Sequence, residues 1–148
     1  MRLSCKAGAA PQILRYKENK SMARIDHIAI EVSDMDTSCD FYVSVLGFML
    51  KSRAVNEDEH EEYSFLELEG FHLELIRDQR KIYDRTATPA KPYCPHIAFG
   101  TDDMTKSVEE LTAMGVTIIA GPLEIENKET WVYFIDPDGN VPEYIQWY

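Results

Sequence analysis

A shift of 69 positions lays one half of this chain over the other, and that repetition restricts the fold more than any single motif does. His27-Ile28-Ala29 falls on His96-Ile97-Ala98, Asp34-Met35 on Asp103-Met104 and Ser38 on Ser107. Further along, Phe65 falls on Phe134, Gly70 on Gly139, Glu74 on Glu143 and Ile76 on Ile145. The register slips by one near Gly47 and Gly115 and then recovers. Two copies of one unit explain agreement spread this widely, whereas a stacked solenoid needs at least about three.

Each copy reads as strand, helix and then three strands. From Arg24 to Val32 the alternation puts Ile28, Ile30 and Val32 on one face and His27, Ala29 and Glu31 on the other. Asp34 or Asp36 can cap a helix in which Met35, Cys39, Tyr42 and Leu46 recur at helical spacing, and Gly47 suits its end. Met104, Val108 and Leu111 repeat this in the second copy, ending at Gly115. A strand from Phe48 to Val55, a polar loop from Asn56 to Glu61 and a hairpin turning at Glu69-Gly70 complete the first unit. The matching turn is Asp136-Pro137-Asp138-Gly139, with the last strand running from Asn140 to Trp147. The expected fold class is α+β, two tandem βαβββ modules over 24–78 and 93–148 within one domain spanning 22–148.

Size and charge limit the function classes. A chain of 148 residues buries roughly two-thirds of its unfolded surface, enough for a real core. Its formal net charge of −11 opposes binding to a phosphate backbone, so nucleic acid is not an expected partner. No apolar run approaches the roughly 18 residues of a membrane span, which predicts no membrane partner either. Cys5, Cys39 and Cys94 are odd in number and widely spaced, giving neither a disulfide frame nor a thiolate metal site; a cytoplasmic location is expected. Residues 1–21 carry Arg2, Lys6, Arg15, Lys17 and Lys20 against Glu18 alone, a basic leader on an acidic chain, expected to be a flexible tail.

The polar residues that repeat are the informative ones. On the strand after Gly70, Phe71, Leu73 and Leu75 point one way while His72, Glu74 and Ile76 point the other. His27 and Glu74 lie 47 residues apart, as do His96 and Glu143. If the first and last strands of each unit are sheet neighbours, each histidine meets its glutamate, and a pseudo-twofold axis brings the two pairs toward one divalent metal ion. Carboxylates on a sheet face are costly unless paired or metal-bound. Imidazole and carboxylate donors suit borderline divalent ions such as nickel, cobalt, zinc, iron or manganese, of which nickel or cobalt is the expected one. Ala29, Ala98 and Gly100 leave room for a ligand beside the histidines.

Residues 24–148 resemble the vicinal oxygen chelate superfamily, which includes lactoylglutathione lyase (glyoxalase I), fosfomycin-resistance proteins, extradiol dioxygenases, methylmalonyl-CoA epimerase and bleomycin-binding proteins. The marks are Asp26-His27-Ile28-Ala29, Asp40-Phe41-Tyr42, Leu46-Gly47-Phe48, Leu73-Glu74-Leu75, Pro95-His96-Ile97-Ala98, and Phe134-Ile135-Asp136-Pro137-Asp138-Gly139-Asn140 leading to Glu143. The resemblance implies a half-open, cup-shaped mixed β-sheet barrel with helices outside, in a homodimer, acting on a small molecule. Its metal site is contained in one chain or shared between two. Holding His, Glu, His and Glu at the four positions resembles bacterial-type glyoxalase I. That implies a lyase or isomerase working on a 2-oxoaldehyde adduct or related vicinal-oxygen substrate through an enediolate, with Glu143 and Glu74 as catalytic carboxylates. An epimerase, a metal-dependent dioxygenase and a non-catalytic antibiotic-binding protein are the alternatives.

Some positions depart from that pattern. Where bacterial-type glyoxalase I uses an Arg and an Asn to hold the glutathione glutamyl group, this chain has Glu31 and Asp78, which would repel a carboxylate. Pro142, just before Glu143, removes a ladder donor in what should be an interior strand. His72, Trp131 and Tyr133 are further candidate substrate contacts. The stretch from Arg77 to Lys91, with Arg77, Arg80, Lys81 and Arg85, is basic enough to receive an anionic substrate or to be a solvated connection between modules.

Overall fold

The structure is a computed structural model that describes residues 24–84 and 88–148. The leader 1–21 and Arg85 lie outside the described residues. The elements follow in the order β1 (His27–Glu31), α1 (Met35–Ser44), β2 (Met49–Asn56), β3 (Glu61–Leu68) and β4 (Phe71–Asp78). The second half repeats it with β5 (Ile97–Gly100), α2 (Met104–Ala113), β6 (Ile118–Ile125), β7 (Glu129–Phe134) and β8 (Pro142–Trp147).

Each half builds one mixed four-stranded sheet, ordered β1-β4-β3-β2 and β5-β8-β7-β6. In both, the first and last strands are parallel neighbours and the other pairs are antiparallel. The sheets stay open rather than closing into a barrel, as a cup requires.

The helices form where the sequence places their caps. Asp34 accepts a hydrogen bond from the Thr37 amide and Asp103 one from the Lys106 amide, each satisfying an orphan donor of the first turn. Met35, Ser38, Cys39 and Tyr42 bury one face of α1, and Met104, Ser107 and Leu111 one face of α2.

One core runs through both halves. Val32, Leu66, Leu73 and Leu75, all fully buried, join Tyr42 and Phe48 from the first half to Phe99, Leu111 and Phe134 from the second. Each such side chain contributes about 1.5–3 kcal/mol by burial. Phe48 meets Phe99 edge to face at 5.9 Å, directly across the boundary. Polar contacts cross it too: the Asp136-Pro137-Asp138-Gly139 turn docks on the N-terminal part of α1. Asp138 accepts from the Ser33 amide at 3.0 Å, from the Ser33 hydroxyl and from the Ser38 hydroxyl at 3.0 Å.

Two expectations are corrected. The 69-residue offset does not hold through β7. Phe65 stands opposite Glu74, and the residue opposite Glu143 is Tyr133, not Phe134. The turn joining β7 to β8 is longer than the two-residue turn at Glu69-Gly70, so the strand before it slips by one. Phe134 therefore belongs to the core, fully buried like Leu66. Pro142, for its part, costs the last strand no bond to β7, although it stands in register with Ile97 on the β5 side. It is the first residue of β8, and the β7 ladder begins one residue later at Glu143, so no bond is lost on that side.

Candidate metal centre

Register places the four repeated residues. In the first half Ala29 aligns with Glu74 across the parallel β1/β4 pair, and in the second Ala98 aligns with Glu143 across β5/β8. The histidine two residues before each alanine lies on the same face, and the small side chain between lets it reach diagonally to the carboxylate. His27 Nε2 lies 3.3 Å from a Glu74 carboxylate oxygen, and His96 Nε2 lies 2.8 Å from one of Glu143.

The other ring nitrogens are occupied as well. His27 Nδ1 lies 3.0 Å from the Asp26 carboxylate and His96 Nδ1 lies 2.9 Å from the Tyr93 carbonyl oxygen. Both partners can only accept, so Nδ1 carries the hydrogen and Nε2 presents its lone pair to a carboxylate. That arrangement needs either a second proton on the ring or a cation between nitrogen and oxygen. Asp26, and then the charge of Glu74, hold the His27 imidazole above its usual pKa, against the opposing effect of desolvation. Neither orienting group stands out in the sequence: Asp26 does not recur in the second half, and Tyr93 acts through its backbone carbonyl, which no side-chain pattern reveals.

Each half thus supplies one imidazole and one carboxylate, a donor set that fits a borderline divalent ion. Among the described residues of one chain, no three His, Cys, Asp or Glu side chains gather where one ion could hold them. A cleft of about 210 Å³ lies between the first strands, lined by Ile28, Ala29 and Ile30 on one side and Pro95, His96 and Ile97 on the other. Of the four repeated residues, only His96 opens onto it.

The remaining candidates divide. Tyr133 joins the second pair: it stands opposite Glu143, whose carboxylate is paired with His96, and its ring meets His96 edge-on at 5.4 Å. Burial and that carboxylate push the phenol above its usual pKa. Trp131 is half-buried and stands opposite Ile145 on the same face. His72 is exposed and aligned with His27.

Glu31 is paired with Lys81 and accepts from the Tyr83 hydroxyl at 3.2 Å, and Asp78 is paired with Arg80 at 3.2 Å. Arg77 donates to the Ser33 carbonyl at 3.0 Å and to Glu62 at 3.4 Å. Arg77, Arg80 and Lys81 are thus spent on neighbours within the fold, which weakens the view of this stretch as an anion receiver. The carboxylates of Glu31 and Asp78 are balanced locally by those same cations.

The model of the Glyoxalase/Bleomycin resistance protein/Dioxygenase superfamily matches residues 24–144. A probable lactoylglutathione lyase of Vibrio parahaemolyticus is 33% identical over 135 residues, covering 85% of this chain and 92% of the relative. A virulence protein of Salmonella typhimurium is 29% identical over 142 residues, covering 90% and 94%. Among solved structures, a glyoxalase family protein from Bacillus cereus superimposes with a TM-score of 0.72 at 22% identity, over 89% of this chain and 98% of that one.

Proposed function

The chain belongs to the Glyoxalase/Bleomycin resistance protein/Dioxygenase superfamily, and from that premise we propose that it is a metal-dependent isomerase of the glyoxalase I type, acting on a 2-oxoaldehyde adduct or a related substrate with two adjacent oxygens. One observation carries this reading. Both halves align His and Glu in the same register, with each imidazole lone pair directed at a carboxylate and its other nitrogen tied to an acceptor. The probable lactoylglutathione lyase among the relatives supports it.

His27 and His96 would hold a divalent ion through Nε2, and Glu74 and Glu143 through their carboxylates. Because the described residues of one chain offer only two donors at each place, a second copy contributes the complementary pair, the first half of one chain facing the second half of the other. When bound, the ion supplies several kcal/mol of charge stabilisation to the two substrate oxygens as negative charge develops. Asp26 and the Tyr93 carbonyl keep the rings turned toward the site. Ala29, Ala98 and Gly100 give the substrate room; a β-carbon on Gly100 would meet nothing within 4 Å.

One glutamate takes the proton from the carbon bearing the hydroxyl and sulfur, and the C–H electron pair moves toward the neighbouring carbonyl. The same carboxylic acid returns the proton to that neighbouring carbon, while the hydroxyl proton passes between the two oxygens. One carbon is oxidised as its neighbour is reduced, so no outside oxidant or reductant is needed. A positioned carboxylate contributes roughly 10²- to 10⁴-fold in such a transfer.

The test is calorimetric titration of metal-stripped protein with nickel, cobalt and zinc, followed by a methylglyoxal assay with glutathione and with other thiols in deuterated water. The reading expects ion uptake, ion-dependent thioester formation and control of deuterium entry at the carbon beside the carbonyl. Ligand binding by a protein that takes up no ion would favour a sequestering role, and oxygen consumption a dioxygenase; either result overturns it.

A further inference from the structure

Beyond the His–Glu pairs the two sheet faces stop resembling each other. In the first half, the row of aligned residues after Glu74 is Glu31, Ile76, Tyr63 and Ala54, and the next is Asp78, Glu61 and Asn56. In the second half, the row after Glu143 is Gly100, Ile145, Trp131 and Leu123, and the next is Trp147, Glu129 and Ile125. Aligned residues share a face, so the polar rows of one half answer to an apolar, aromatic shelf in the other. Both tryptophans of the chain stand on it.

The core does not account for this shelf. Val132 and Phe134, out of phase with Trp131, are the β7 side chains that bury themselves in the interior, whereas Leu123 and Ile125 are exposed and Trp147 is 62% exposed. Large apolar side chains left open side by side mark a place that something covers. A cleft of about 410 Å³ adjoins them, lined by Gly100, Ile145 and Trp147 and by Glu69, Thr101 and Asp102. Lys128 stands over the Trp147 ring at 5.9 Å, but its ammonium is matched by Glu129 at 3.5 Å. Glu69 and Asp102 therefore give the cleft an acidic character that opposes a carboxylate and accepts a neutral or positive group.

Continuity with the candidate metal centre says what covers the shelf. Ile145 follows Glu143 by two residues on one face of β8, a spacing of about 7 Å along a strand. We infer that Trp131, Ile145, Trp147 and Leu123 form a subsite for an apolar ring, uncharged or cationic, carried by the substrate a few bonds from its two adjacent oxygens. Calling the occupant a substrate rests on the isomerase reading; the subsite itself stands on the residues of the chain. The thiol partner of the adduct is thus an apolar one rather than a peptide bearing carboxylates.

Each tryptophan reports occupancy of the shelf through one indole N–H signal. In the full-length chain stripped of metal, benzyl alcohol and benzylammonium should shift both signals, and benzoate at the same concentration should shift neither. Signals that stay in place with all three probes, or that follow benzoate as strongly as the alcohol, overturn the subsite.

Turnover separates the two layers of the argument. With cobalt supplied, the hemithioacetal of methylglyoxal with benzyl mercaptan should show a lower KM than the one with glutathione. Trp147→Ser, at an exposed position outside the core, should raise the KM of the benzyl adduct about tenfold, the size of one aromatic contact, with a smaller change in kcat. Trp147→Phe keeps a ring and should restore most of that loss. A KM indifferent to both substitutions overturns the assignment. Loss of a dimer in Trp147→Ser, with no probe shift in the wild type, overturns it as well, because a partner chain then lies on the shelf. Probe shifts in a protein that turns over neither adduct overturn the isomerase reading and leave the subsite standing.

Discussion

Tyr42 on α1 donates a 2.9 Å hydrogen bond to Asp136, which lies in the opposite half of the molecule, 94 residues away, and is 4% exposed. The same carboxylate accepts from the amides of Asp138 and Asn140 and from the Asn140 side chain. The turn between β7 and β8 is thus organised around one buried acid and bolted to the first helix by one phenol.

Tyr42→Phe removes the one donor among the described residues that crosses between the halves to this carboxylate, and leaves one of its acceptor sites unmet. A buried group left in that state costs about 1–3 kcal/mol. Urea unfolding should show a lower midpoint with an unchanged slope; an unchanged midpoint would mean the bond carries no net stability.

Burial is the leading cause that raises the Asp136 pKa above 3.8, only partly opposed by its hydrogen bonds. Between 3.8 and the higher native value the folded chain keeps a proton that the unfolded chain has released. Asp136 therefore adds stability as pH falls into that window and costs stability above it. The stability difference between wild type and Asp136→Asn should accordingly be greatest at the acid end, shrink as pH rises through the window and then level off. A difference constant with pH would contradict the raised value.

If the ion is held by two chains, His27→Ala and His96→Ala are each inactive alone and complement when mixed after subunit exchange. Each mixed dimer then has one site with both histidines and one with neither. Random exchange should restore about a quarter of the wild-type sites, since half the dimers are mixed and half their sites complete. Activity that never returns on mixing would place the site within one chain.

Gly121 lies where β6 departs from its register with β7, at φ +104°. A β-carbon there would come within 2.8 Å of the Trp131 carbonyl oxygen, a backbone atom that cannot swing aside. Gly121→Ala should destabilise the protein by about 1–3 kcal/mol. Thermal unfolding reads this directly, and a melting temperature equal to wild type would show that β6 relaxes freely.

Much of this could be read from residues alone. Capping by Asp34 and Asp103, the inward Leu73 and Leu75, and the shared face of His27 and Glu74 follow from periods of two and of about 3.6, which any neighbouring residue reports. Phe65 and Tyr133 show where such reading stops. Their equivalence depends on the length of a turn, which no repeat in the strands encodes. Asp136 and Asp138 read as turn residues, yet their side chains spend themselves on Tyr42, Ser33 and Ser38 in the other half.

The chain's own letters determined that it is a doubled unit and that each copy offers one imidazole and one carboxylate, because repetition and alternation are local properties of a polymer. The folded arrangement decided the rest. It set which aromatic ring stands beside which acid, which basic side chains are consumed by neighbours such as Glu31 and Glu62, and that one chain leaves the two pairs apart. Those outcomes depend on register and on contacts between distant segments, where a shift of one residue turns a side chain to the opposite face.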